Sequence, residues 1–118
     1  MKGWIILQTV VETAEFMKQA RDCMDDEMRN DFIAYIAENP LVGDIIQGTG
    51  GLRKIRWQSN AYTGKRGGLR VIYYYHDVKM PIFLFTVYKK NNKESMTLAE
   101  KKASQKILAL IVSTYEGE

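Results

Sequence analysis

One cysteine, Cys23, and one histidine, His76, stand in a sequence of 118 residues, and each scarcity removes a class of chemistry. A lone cysteine forms no internal disulfide and no cysteine-based metal site. Cys23 also lies among acids on a helical stretch, a setting that disfavours the reactive thiolate. His76 has only Asp77 as a carboxylate neighbour, reads as a structural residue at the end of a strand, and offers no zinc cluster. Apolar runs are short as well. Trp4-Ile5-Ile6-Leu7 is broken at once by Gln8 and Thr9, too brief for a signal-peptide core and far below the roughly 20 residues of a membrane helix. The expectation is a cytoplasmic chain with no membrane partner. A phosphate-binding P-loop is missing too: Gly48-Thr49-Gly50-Gly51 precedes a strand pattern, where a nucleotide loop opens a helix.

The most informative scarcity is of acids. From Ile45 to His76, 32 consecutive residues carry no Asp or Glu. Residues 45–93 hold ten basic side chains against one acid, Asp77, whereas residues 1–44 hold four against nine. The formal net charge of +3 therefore hides a strong internal split. Local charge of one sign costs self-repulsion and favours a polyanionic partner. The shortage of acids near the basic region also argues against a magnesium-dependent nuclease, and no metal or other cofactor is expected. The length suits a single domain, residues 1–118.

Residues 3–9 are β-branched and aromatic and read as a first strand. Two helical patterns follow. Val10, Ala14, Met17, Arg21 and Met24 recur at helical spacing, and Asp25 to Glu38 repeats it through Met28, Phe32 and Ile36. Asn39-Pro40 ends the second pattern, because the residue before proline is pushed out of the helical region. After a glycine-rich connection, Gly43 to Gly51, the period changes to two. Lys54 and Arg56 then share one strand face, and Ile55 and Trp57 share the other. Leu69 to His76 and Ile82 to Tyr88 read as two more strands, the last apolar on both faces and so central. Thr97-Leu98-Ala99-Glu100 has the form of a capping box. It opens a final helix with Ala99, Ala103, Ile107, Leu110, Ile111 and Thr114 along one stripe. The order β-α-α-β-β-β-α implies an α+β fold. It consists of a small antiparallel β-sheet with an N-terminal helical hairpin and a C-terminal helix packed on it.

With the usual enzyme signatures missing, what remains is basic and aromatic. Lys54 and Arg56 lie on a strand, Lys65 and Arg66 in the loop after it, Arg70 at the start of the next strand, and Tyr88, Lys89 and Lys90 at the end of the third. In an antiparallel sheet the start of one strand lies near the end of its neighbour, so these groups converge on one rim. Converging cations favour a phosphodiester backbone, and tyrosines offer surfaces for an unstacked base. Tyr73, Tyr74 and Tyr75 also fit the plainer role of strand residues facing a core.

Asn39-Pro40-Leu41-Val42-Gly43-Asp44, Gly48-Thr49-Gly50-Gly51-Leu52-Arg53-Lys54-Ile55-Arg56 and the run Gly64-Lys65-Arg66-Gly67-Gly68-Leu69-Arg70-Val71-Ile72-Tyr73-Tyr74 resemble the RelE/ParE superfamily of bacterial toxins, in its HigB-like branch. Tyr88-Lys89-Lys90-Asn91, followed by Leu98 and Glu100, is similar to the family's closing segment. The resemblance spans about residues 28–112. It implies the RelE-like microbial ribonuclease fold and the toxin of a type II toxin-antitoxin system. Such a toxin is a ribosome-dependent mRNA endoribonuclease, or mRNA interferase, in which the ribose 2′-hydroxyl attacks the adjacent phosphate and translation is inhibited.

Carried over residue by residue, the resemblance makes Lys54, Arg56, Arg70 and Lys90 the catalytic set and Lys65, Arg66, Tyr74, Tyr88 and Lys89 the RNA-binding set. Cations around the phosphate would stabilise the charge developing in the transition state, with Arg70 suited to a bidentate contact. Lys54 and Lys65 stay open as alternatives for the proton-accepting amine. The tyrosine that stacks on a base in RelE falls near Met96 here, leaving Tyr88, Tyr74 or Tyr62 to replace it. The implied partners are the ribosome with its mRNA and a cognate antitoxin, encoded adjacently and carrying a helix-turn-helix domain. Operator DNA would be met only indirectly, through that antitoxin. Two further readings stay open: a non-enzymatic gyrase poison of the ParE kind, and an inactive homologue working only in an antitoxin–DNA repressor complex.

Overall fold

The computed structural model describes residues 7–58, 68–90 and 96–117. In chain order the elements are β1 (Val10–Glu12), α1 (Ala14–Cys23), α2 (Asp26–Glu38), β2 (Asp44–Ile45), β3 (Arg53–Trp57), β4 (Leu69–Tyr74), β5 (Ile82–Lys89) and α3 (Leu98–Glu116). The strands form one sheet in the order β1-β5-β4-β3-β2. The four later strands are antiparallel to one another, and β1 pairs parallel with β5. The architecture is α+β, as expected, with a mixed sheet in place of a wholly antiparallel one. Two strands fall where the periodicity did not put them. The segment Val10–Glu12, assigned from the sequence to the first helix, is β1, and the glycine-rich connection contains the two-residue β2. Of the strand expected over residues 3–9, residues 3–6 lie outside the described residues and 7–9 are irregular.

Thr13 explains the shift at the N-terminal end. Its hydroxyl caps α1 by accepting from the Phe16 N–H at 3.1 Å and donates to the Leu84 carbonyl of β5 at 2.8 Å. The helix cannot start before this cap, and the β-branched pair Val10-Val11 is left to extend along the sheet. The helix then buries Phe16 and Ala20, while Met17 of the expected stripe is 41% exposed. Asp25 caps α2 through the Met28 N–H at 2.8 Å, and Phe32 and Ile36 face the core as their spacing implies. Thr97 and Glu100 complete the expected capping box of α3. The contact face of α3 differs from the expected stripe, however. Leu108 is buried and Ile111 and Val112 pack beside it, whereas Ile107 and Leu110 are exposed.

The sheet separates two cores. Leu69, Val71 and Tyr73 of β4 face α1 and α2 together with Phe16, Phe32 and Ile36. Ile72 and Tyr74 face α3 with Leu52 and Leu108. Strand β4 is the middle strand and all six of its residues are buried, so it is more central than β5. The Tyr73 hydroxyl ties the loop after α2 to this centre, accepting from the Gly43 N–H at 2.8 Å and donating to the Pro40 carbonyl at 2.9 Å. Glycine is required at position 43 because a Cβ there would lie 2.8 Å from the Tyr73 ring and hydroxyl. Among the described residues, no helix is long and apolar enough to cross a membrane.

Candidate nucleic-acid interface

The alternation in β3 decides where its cations go. Ile55 and Trp57 pack toward α1 and α2, with the Trp57 ring edge-on to Phe32 at 5.2 Å. Lys54 and Arg56 therefore lie on the opposite face, the one that α3 covers in part. The ladder register then pairs Lys54 with Ile72 and Arg56 with Arg70, and Arg70 in turn with Tyr88. Residues directly paired across antiparallel strands share a face, with Cβ atoms about 4.5–5.5 Å apart. Arg56, Arg70 and Tyr88 thus form one row across β3, β4 and β5, with Lys54 two positions back along β3.

The environment within the row is graded. Arg56 is exposed, Lys54 and Tyr88 are half-buried, and Arg70 is only 9% exposed because β4 is the middle strand. The Arg70 guanidinium donates to the Leu69 carbonyl at 3.4 Å. Entry to this strand depends on Gly68, whose φ of +69° suits glycine and where an added Cβ would lie 2.8 Å from the Trp57 carbonyl oxygen. On its far side Tyr88 borders a groove of about 450 Å³ between β5 and α3, lined also by Met96, Glu100 and Ile107.

The other sequence-derived candidates divide. Lys90 is exposed immediately after β5. Lys89 pairs with Leu69, whose side chain belongs to the α1/α2 core, so it leaves the sheet on the face opposite the Arg70 row. Its cation acts instead near Cys23 of α1: burial pushes that thiol up, Lys89 partly opposes the rise, and Asp22 adds to it. Tyr74 is not beside the cations. It is 6% exposed beneath α3 and four positions along β4 from Arg70, about 13 Å at strand rise. Of the three tyrosines considered for base stacking, Tyr88 lies in the cationic row, and Met96 packs in the same cluster. Lys65, Arg66 and Tyr62 lie outside the described residues.

Arg53, which the periodicity did not single out, has a structural role. Its guanidinium donates to the Gly43 carbonyl at 2.7 Å and the Leu41 carbonyl at 3.2 Å, bracing the same loop that Tyr73 holds. A second convergence was also missed. Among the described residues, one group of metal-capable donors comes together: His76, Asp77 and Glu116. No local signal could have found it, since Glu116 is forty positions from His76.

Solved structures place this arrangement on a known scaffold. The chain is similar to the free-state structure of the E. coli toxin RelE carrying two arginine-to-alanine substitutions. The TM-score is 0.56 with 17% sequence identity, over 84% of this chain and 97% of that one. The fold is that of RelE. No protein-family profile matches the sequence. On the RelE fold, the cationic row occupies the sheet face beside the start of α3. Guanidinium and ammonium groups gathered in this way are of the chemical type that can hold a phosphodiester and stabilise added negative charge.

Proposed function

We propose that this chain is a HigB-like toxin of a type II toxin-antitoxin system, a single-domain cytoplasmic mRNA interferase that cleaves mRNA on the ribosome. The observation that carries the reading is the row Arg56–Arg70–Tyr88 with Lys54 beside it. Three cations from two adjacent strands and one aromatic ring are assembled on a RelE fold. Two directly opposed arginines bring two guanidinium groups to one place on the sheet, and a planar guanidinium suits bidentate contact with a phosphate. The Gly64–Tyr74 run, which resembles the HigB-like branch, supports the choice of branch.

In this reading Arg70 contacts the scissile phosphate through its planar guanidinium. Arg56 and Lys54 neutralise the charge that builds as the ribose 2′-hydroxyl attacks, and Lys90 approaches from the end of β5. Tyr88 offers its ring to the base next to the cleaved bond. The products are a cyclic phosphate and a free 5′-hydroxyl, so the reaction needs proton transfers and charge stabilisation, which side chains of this kind supply. The partners are the ribosome with mRNA and an adjacently encoded helix-turn-helix antitoxin, through which operator DNA is contacted.

The test is cleavage of a defined mRNA by purified protein, with and without ribosomes, read by mapping of 5′ ends. Cuts that need ribosomes and leave 5′-hydroxyl ends support the proposal. Intact mRNA together with inhibition of DNA gyrase overturns it in favour of a ParE-like poison. Intact mRNA and uninhibited gyrase, with antitoxin and operator binding retained, assign the chain to a repressor complex instead.

A further inference from the structure

At the other end of β4 from Arg70, three donors meet. His76 Nε2 lies 3.2 Å from Glu116 Oε2 and 3.6 Å from Asp77 Oδ2, and all three ligand atoms fall within 4.8 Å of one another. One ring nitrogen carries at most one proton, so it cannot satisfy two carboxylates at once by hydrogen bonding. A metal ion satisfies both. In a tetrahedral zinc site with bonds of about 2.0–2.2 Å, ligand atoms sit about 3.3–3.6 Å apart. The two separations from Nε2 are close to those edges before any ion enters.

The second polar atoms of His76 and Asp77 are already engaged in ways that aim the donors. His76 Nδ1 is in hydrogen-bond contact with the Tyr74 hydroxyl at 3.3 Å, and Tyr74 is buried under α3. A histidine that binds metal through Nε2 carries its proton on Nδ1 and donates it to such a partner, which fixes the tautomer and the ring. Asp77 uses Oδ1 to accept from the Lys79 N–H at 2.9 Å, leaving Oδ2 turned to the histidine. The side chains of His76, Asp77 and Glu116 are 33%, 40% and 60% exposed, so an ion has a route in and a fourth position open to water. Asp77 and Glu116 border a cavity of about 380 Å³ that Lys79 and Tyr115 also line.

We propose that His76, Asp77 and Glu116 form a zinc-class divalent metal site that fastens the C-terminal end of α3 to the turn between β4 and β5. One imidazole with two carboxylates suits zinc, and a magnesium ion prefers an all-oxygen octahedral shell. The mechanical sense lies in the packing of α3. Leu108 is its one buried residue among those described, so a cross-link forty positions apart in sequence fixes a helix that the core holds lightly.

The test uses untagged full-length protein stripped with chelator and titrated with Zn2+ by calorimetry. Co2+ absorption reports coordination geometry. The expected result is one saturable Zn2+ per chain, a melting temperature that rises with zinc and not with magnesium, and an intense tetrahedral Co2+ band. Tyr74→Phe should weaken binding about tenfold by removing the partner of Nδ1, and His76→Gln or Glu116→Gln should weaken it further. Cys23→Ser should leave it unchanged. Absence of stoichiometric zinc binding, or binding that survives both His76→Gln and Glu116→Gln, overturns the proposal. So does a fall in melting temperature in His76→Gln that is equal with chelator and with zinc, because that result assigns the trio to a metal-free hydrogen-bonded latch.

Discussion

Arg56 and Arg70 stand directly opposite one another across the β3–β4 ladder. Like charges directly opposite one another across a ladder do not stabilise the pairing of its strands. If the pair exists to bind phosphate, Arg56→Ala should leave folding stability unchanged or slightly raised while mRNA cleavage falls. Urea denaturation and a ribosome-dependent cleavage assay measure the two effects. A variant more than about 1 kcal/mol less stable, with cleavage intact, would show the arginine to be structural.

For Arg70 the expectation is larger. Removing one preorganised group that stabilises transition-state charge costs about 10²–10³ in rate, and Arg70→Lys keeps the charge but loses the planar fork. Arg70→Ala should abolish growth arrest on induction, and Arg70→Lys should recover only part of the cleavage rate. Undiminished toxicity of Arg70→Ala would remove the proposed site.

Tyr88 and Tyr74 provide an internal contrast. Base–aromatic stacking is worth about 1–3 kcal/mol, so Tyr88→Ala should slow cleavage while Tyr88→Phe, which keeps the ring, should not. Tyr74→Phe should leave cleavage unchanged because Tyr74 lies under α3. Kinetics of the three variants on one mRNA decide the point, and equal rates for Tyr88→Ala and the parent would exclude stacking at position 88.

The loop after α2 should be sensitive out of proportion to its size. Gly43→Ala places a Cβ 2.8 Å from the Tyr73 ring and 3.1 Å from the Lys54 carbonyl oxygen, overpacking that costs about 1–3 kcal/mol. Tyr73→Phe strands the Gly43 N–H and the Pro40 carbonyl, a loss of about 1–3 kcal/mol. Chemical denaturation of both variants checks this, and wild-type midpoints would rule it out.

The same tyrosine sets a dependence on alkaline pH. Burial pushes the Tyr73 hydroxyl above its ordinary value of 10.0, opposed in part by its Gly43 hydrogen bond and the Arg53 cation. Tyr74 is raised too, by burial and by the Asp77 and Glu116 carboxylates. A raised folded-state value means that the folded chain holds its protons longer than the unfolded one. The stabilisation is therefore complete below about pH 10 and is lost as pH rises through the folded values. The denaturation midpoint should fall above about pH 10, and less steeply in Tyr73→Phe.

Local patterns in this chain were legible to the extent that their causes are local. The end of α2 at Asn39-Pro40, the Thr97–Glu100 capping box and the alternation of Lys54 and Arg56 with Ile55 and Trp57 each depend on residues within one turn or one strand. The stripes on α1 and α3 misled for a definite reason. Both helices carry apolar residues on more than one face, and only the packing partner selects which is buried: Phe16 rather than Met17, and Leu108 rather than Leu110. Of the nine site candidates, Lys54, Arg56, Arg70 and Tyr88 share a sheet face, Lys89 leaves on the other, and Tyr74 is covered.

The sequence alone determined the α+β composition, the cationic middle segment and the residue types at its strand positions, because periodicity and charge act over a few neighbouring residues. Tertiary structure alone decided that β1 runs parallel beside β5, that Arg70 sits nearly buried between Arg56 and Tyr88, and that Glu116 reaches His76. These depend on register and on the direction in which helices cross the sheet. Both are set by how two cores pack on opposite faces of β4, a balance distributed over the whole chain.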